Sequence, residues 1–208
     1  MDTLKRTMIT FGTLGDSKVG KTALTNAYLE KEFEDEYLST IGVNSCIKEI
    51  TINLNNKELP IKVKIWDTAG QEKFKSISVQ YIKNCMGIFI VYAINDIESF
   101  NNILSWLKEV EEKKSRSNIP LILIGNKYDL EKERKISKEE GEKLASRYNM
   151  KFFECSAKTG YNVNEAFQCL TDQVVETYKE EFIKGDQKTK IVSGKKKEIS
   201  VNVKYYLF

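Results

Sequence analysis

Short apolar runs alternate along this chain with stretches whose apolar residues recur every three or four positions. Met8–Leu14 is the first run and reads as a strand, and Thr22–Lys31 behind it reads as a helix. Cys46–Leu54 and Ile61–Trp66 alternate with period two around Asn55-Asn56-Lys57, the pattern of a half-buried hairpin and its turn. Gly87–Tyr92 and Leu121–Ile124 are continuously apolar, as in strands covered on both faces. Ser99–Lys114 carries Phe100, Ile103, Leu104, Leu107 and Val110 at helical spacing. Ser137 with Glu140 predicts a capping box opening a helix to about Tyr148, Lys151–Cys155 a sixth strand, and Val163–Lys179 a last helix. The alternation implies an α/β fold. We expect a doubly wound, mostly parallel six-stranded sheet with one antiparallel edge strand and about five helices.

Composition narrows the function. The 208 residues suit one domain, expected over residues 1–182, followed by a tail over 183–208. The tail holds seven lysines against Asp186 and Glu198, so of the net charge of +3 it carries +5 and the domain −2. A nearly neutral body argues against nucleic acid as a partner. Histidine is absent and Cys46, Cys85, Cys155 and Cys169 are widely spaced, which excludes a His- or Cys-based zinc site and suits a reducing compartment. The N-terminal residues do not read as a secretory signal, and no run of about 20 apolar residues occurs.

The chemistry sits between the elements. Gly15-Asp16-Ser17-Lys18-Val19-Gly20-Lys21-Thr22 matches G-x-x-x-x-G-K-[ST] after a strand and before a helix, the context of a phosphate-binding loop. Backbone N–H groups there converge on phosphate oxygens, Lys21 brings a point charge, and the Thr22 hydroxyl can ligate Mg²⁺. Asn126-Lys127-Tyr128-Asp129 follows a buried strand. A carboxylate at that edge accepts from two N–H groups of guanine and repels the acceptor edge of adenine. Asp67-Thr68-Ala69-Gly70-Gln71 follows another strand. Asp67 can hold Mg²⁺ through water, Gly70 lets a backbone N–H approach a γ-phosphate, and Gln71 can orient an attacking water. By themselves Thr40 and Phe33 read as an ordinary loop residue and a core residue.

These segments, with Ser39-Thr40-Ile41-Gly42-Val43 and Cys155-Ser156-Ala157-Lys158, resemble the Ras superfamily of small GTPases, and the Rab family most closely, over roughly residues 8–180. The resemblance implies that Gly15, Asp16, Ser17, Lys18, Val19, Gly20, Lys21, Thr22, Ala23, Tyr37 and Gly70 surround GTP or GDP. It implies Mg²⁺ on Thr22, Thr40 and Asp67, and hydrolysis carried by Gln71, Lys21 and Thr40. Phe33 would pack on the base, Asn126, Asp129 and Ser156 would build its pocket, Ala157 would donate its N–H to the guanine oxygen, and Lys127 and Lys158 would flank the ring. Phe33–Val43 and Asp67–Val79 would be switches ordered by the γ-phosphate.

Four positions depart from the Rab pattern. Lys18 stands where Rab proteins usually carry Gly, and Asn44-Ser45 where they carry Asp-Phe. Val91-Tyr92-Ala93-Ile94-Asn95 looks more Ras-like. The sequence ends Tyr205-Tyr206-Leu207-Phe208, and prenylation needs a C-terminal cysteine, so a prenyl anchor is not expected on the chain as written. The lysine-rich tail offers weak contact with anionic lipid, or is a solvated tail; Ile199, Val201, Val203, Tyr205 and Leu207 alternate in a way that fits neither.

The expectation is therefore a cytoplasmic, monomeric GTP-hydrolysing switch in vesicle traffic, peripheral to endomembranes, with an exchange factor, a GTPase-activating protein and effectors as partners. A GTP-binding interaction module with negligible hydrolysis is the alternative. An ATP-using nucleotide kinase fits Asn126-Lys127-Tyr128-Asp129 poorly. No arginine occurs between Arg6 and Arg116, so the phosphate loop and both expected switches lack a built-in arginine finger, and slow unassisted turnover is expected.

Overall fold

Strand β4, Gly87–Ala93, is buried along its whole length, and its side chains part to the two faces of a sheet. Phe89, Val91 and Ala93 enter one core cluster with Leu24, Tyr28, Phe167, Leu170 and Val174. Ile88, Ile90 and Tyr92 enter another with Ile103, Trp106, Leu107 and Val110. Helices thus cover both faces, which is why this run is continuously apolar. The structure, a computed structural model, describes residues 8–33, 40, 43–54, 57–68, 81–113 and 119–182.

The other strands are β1 (Met8–Leu14), β2 (Val43–Leu54), β3 (Lys57–Thr68), β5 (Leu121–Asn126) and β6 (Lys151–Glu154). They form one six-stranded sheet in the order β2-β3-β1-β4-β5-β6. Only the edge strand β2 is antiparallel, paired with β3 from Val43↔Thr68 to Leu54↔Lys57. Both hairpin strands outrun their apolar alternation, because backbone pairing continues where the side-chain pattern fades. The tail and residues 55–56 lie outside the described residues.

Among the described residues the helices are α1 (Lys21–Tyr28), α2 (Ile97–Asn101), α3 (Ile103–Lys113), α4 (Lys138–Arg147) and α5 (Val163–Thr177), with a 3₁₀ turn at Tyr128–Glu133. Helix α1 stops three residues short of the predicted end. Glu30 adopts φ 59°, Glu30 N–H donates to Ala27 O, and Lys31 N–H donates to Asn26 O, which closes a Schellman ending. The predicted single helix from Ser99 is two helices, broken at Asn102. Its buried stripe is Ile103, Trp106, Leu107 and Val110, whereas Leu104 is 47% exposed. Asp96 caps α2, accepting from the N–H groups of Glu98 and Ser99. The capping box of Ser137 and Glu140 opens α4 as expected.

The sheet order reverses at β1, whose neighbours β3 and β4 lie on opposite sides. In such a sheet ligands bind beyond the carboxyl ends of the strands at the reversal.

Candidate nucleotide site

β1 ends at Leu14 and the chain turns through Gly15 at φ 142° and Gly20 at φ 93°. A Cβ on Gly15 would run into the Val91 carbonyl, and one on Gly20 into the Asn126 side chain. No side chain caps α1 and no acidic residue lies in its first turn. Among the described residues neither an N-cap side chain nor a first-turn carboxylate thus occupies its leading N–H groups, as an anion site requires. Lys21 folds back over the loop and donates from Nζ to Gly15 O at 3.0 Å and to Asp16 O at 2.7 Å. Burial pushes its pKa down to about 8, while the carboxylates of Asp67 and then Asp16 act in the other direction. A polyphosphate placed here would restore its full charge.

Asp67, near the end of β3, is buried. Burial raises its pKa; the Thr22 hydroxyl, the Lys21 ammonium and the Thr13 hydroxyl oppose the rise. Its Oδ1 has no hydrogen-bond partner among the described residues. The hydroxyls of Thr22 and Thr40 meet at 2.9 Å although 18 positions apart in sequence. A buried carboxylate oxygen without a donor and two converging hydroxyls form an all-oxygen set that fits Mg²⁺, a hard cation that keeps several waters. These three residues could hold it.

Asn126 ends β5 and ties two loops together. Its Nδ2 donates to Val19 O at 2.8 Å and its Oδ1 accepts from Ala157 N–H at 3.2 Å. The amide expected to meet the base oxygen is thus shared with Asn126. Ser156 Oγ donates to Asp129 Oδ1 at 2.6 Å and accepts from Thr159 N–H at 3.1 Å. One carboxylate oxygen of Asp129 is thereby positioned, and a carboxylate retains acceptor sites beyond that bond. Lys127 adopts φ 67°. Lys158 Nζ stands 5.5 Å from the centre of the Phe33 ring, which is half open to solvent.

A family model described as the Ras family matches residues 11–176. The chain belongs to the Ras family. Ras-related protein Rab-13 of Bos taurus is 44% identical over 162 residues, covering 78% of this chain and 77% of the relative. Ras-related protein Rab-8B of Homo sapiens is 45% identical over 162 residues, covering 78% and 76%. This protein is accordingly a small GTPase of the Rab type, whose cofactors are GTP or GDP and Mg²⁺ and which is served by exchange factors, activating proteins and effectors.

The structure of this GTPase brings together Gly15 through Ala23, Phe33, Thr40, Asp67, Asn126, Lys127, Asp129, Ser156, Ala157 and Lys158 at and just beyond the strand ends. Tyr37, Gly70 and Gln71 lie outside the described residues. Two residues escaped the sequence reading: Asn102 and Trp106, which both hold the Asp16 side chain. The available signal was an indole N–H on a buried helical stripe, which needs an acceptor. Among the described residues no helix is long and apolar enough to cross a membrane.

Proposed function

We propose that this GTPase is a slow Mg²⁺-dependent switch acting in intracellular vesicle traffic on the cytosolic face of endomembranes. Residues 1–182 form the nucleotide domain, and the basic segment 183–208 makes a weak, charge-driven contact with anionic lipid. The protein acts as a monomer. In this reading Ser17 to Thr22 cradle the phosphates, and Thr22, Thr40 and Asp67 hold Mg²⁺. Gln71 orients water, Lys21 and Thr40 assist it, and Gly70 meets the γ-phosphate. Asp129, Ala157, Phe33, Tyr37 and the two lysines Lys127 and Lys158 take the base side. Bound Mg²⁺ supplies charge neutralisation between the phosphates.

The observation that carries the reading is the meeting of Thr22 and Thr40 at 2.9 Å, because Thr40 lies 18 positions along the chain from Thr22. A metal that needs both hydroxyls makes the position of Thr40 depend on the nucleotide. With no arginine between Arg6 and Arg116, unassisted turnover on the order of 10⁻⁴ to 10⁻² per second is expected, accelerated by a partner that brings one.

Single-turnover hydrolysis of labelled GTP, with and without Mg²⁺ and beside Gln71→Leu, tests this. Slow Mg²⁺-dependent hydrolysis lost in the variant supports the switch. Tight binding without hydrolysis, identical in the variant, would favour a nucleotide-locked interaction module. The replacement of the usual Gly by Lys18, held at φ 63°, is the feature that speaks for that second reading.

A further inference from the structure

The Asp16 carboxylate lies in the phosphate loop but is turned out of it. Its Oδ2 accepts from Asn102 Nδ2 at 2.7 Å, and its Oδ1 accepts from Trp106 Nε1 at 2.7 Å. Each oxygen thus has one neutral donor, and each bond is charge-assisted. The donors come from 86 and 90 positions away, one at the break between α2 and α3 and one a turn into α3. The break therefore has a partner: Asn102 sits where two helices meet and reaches the loop. Trp106 is 3% exposed and packed in the cluster that includes Leu14, the residue before the loop. Its ring cannot swing away without opening the core.

The backbone of the same residue faces the other way, where Asp16 O accepts the Lys21 ammonium at 2.7 Å. The carboxylate is near enough to act on that ammonium. A negative side chain in a loop built for polyphosphate would repel the ligand and compete for Lys21 unless it were held aside.

We propose that Asn102 and Trp106 are positioning residues for nucleotide binding, which lock the Asp16 carboxylate away from the phosphate site and leave its carbonyl to orient Lys21. The inference rests on the nucleotide site described above. It predicts that losing either donor frees the charge and speeds nucleotide release. It also predicts that the loss is silent once the carboxylate is gone.

The test is release of fluorescent mant-GDP from the full chain in Mg²⁺ on mixing with excess GDP. Trp106→Phe keeps an aromatic ring but loses the indole N–H together with the fused five-membered ring, so the Asp16→Ala background is needed to separate the lost bond from the lost packing; release about tenfold faster is expected, which corresponds to about 1.4 kcal/mol. In an Asp16→Ala background the same substitution should change release by less than twofold, because coupled residues are non-additive. Asn102→Ala should repeat both results, and it carries the test if Trp106→Phe does not fold by circular dichroism. Release unchanged in both single variants would overturn the proposal. So would an acceleration fully retained with Asp16→Ala, since that marks a packing role only. Failure of the unaltered chain to hold mant-GDP would instead overturn the nucleotide site itself.

Discussion

Lys18 is the residue whose backbone and side chain pull in different directions. At φ 63° it adopts a left-handed conformation that costs an L side chain about 1 kcal/mol and costs glycine nothing. Lys18→Gly should therefore leave stability unchanged or raise it, by up to about 1 kcal/mol, since the greater freedom of Gly when unfolded offsets part of the relief. Urea denaturation at saturating GDP and Mg²⁺ measures this, and a clear destabilisation would mean that the lysine side chain holds the loop together. The same variant assayed for GTP hydrolysis tells whether the ammonium contributes to charge stabilisation, although it cannot match the fork of an arginine. The glycines of this loop were legible because a motif with fixed spacing names them. The bonds from Asn102 and Trp106 to Asp16 were not, because nothing local to residue 16 announces partners 86 and 90 positions away.

Helix α4 shows how an element can carry a residue that is poor for it. Its start is strongly specified: Ser137 N–H donates to Glu140 Oε2 at 2.8 Å, and Glu140 N–H donates to Ser137 Oγ at 3.2 Å. Yet Gly141 follows in its first half, where alanine would favour the helix by about 1 kcal/mol. Packing explains the choice. A Cβ at Gly141 would lie 2.5 Å from Phe152 Cζ and 2.7 Å from Tyr92 Oη, both on the sheet. Tyr92 is wholly buried and enclosed by the core, so its ring has no easy way to retreat. Overpacking of this kind costs about 1–3 kcal/mol. Gly141→Ala should thus be net destabilising despite its propensity gain, and an increase in the urea midpoint would refute the argument. The opposite case is α2 and α3, where apolar spacing reads as one helix. Periodicity registers which residues are apolar but not whether the backbone continues between them, so it hides the break at Asn102, and helical spacing alone does not reveal that Leu104 is exposed.

Across the whole fold, the site is assembled from strand ends. Leu14, Thr68, Ala93, Asn126 and Glu154 close the five parallel strands, and the phosphate, metal and base groups follow or flank four of these ends. Asp67 pairs with Thr13 across β1 and β3, which sets the carboxylate beside the loop that begins at Gly15. The bonds of Asn126 to Val19 and Ala157 then join phosphate loop and base loop into one unit. Removal of the metal should be felt throughout. If Asp67 holds Mg²⁺ as proposed, chelation leaves its buried Oδ1 without a cation and weakens nucleotide binding, and ligand-linked stability falls by about 1.4 kcal/mol for each tenfold loss of affinity under saturating ligand. We expect EDTA to accelerate GDP release at least tenfold and to lower Tm, with both effects reversed by added Mg²⁺. Indifference to EDTA would remove Asp67 from the metal set.

The elements and the chemistry were largely written along the chain, because both depend on short-range relations. Period two or 3.6 follows from which face is buried, and the phosphate loop needs its glycines, lysine and threonine within eight consecutive positions. Asn126, Asp129 and Asp67 could be nominated in the same way, each just past an apolar run, whereas Ser156 was implied only by the family resemblance. What needed three dimensions was everything carried by distant partners: the meeting of Thr22 with Thr40, the hold of Asn102 and Trp106 on Asp16, the space that Gly141 leaves for Tyr92, and the break between α2 and α3. A hydrogen bond depends on where two groups lie in space, and the chain order of residues 16, 102 and 106 holds no trace of that until the sheet has folded.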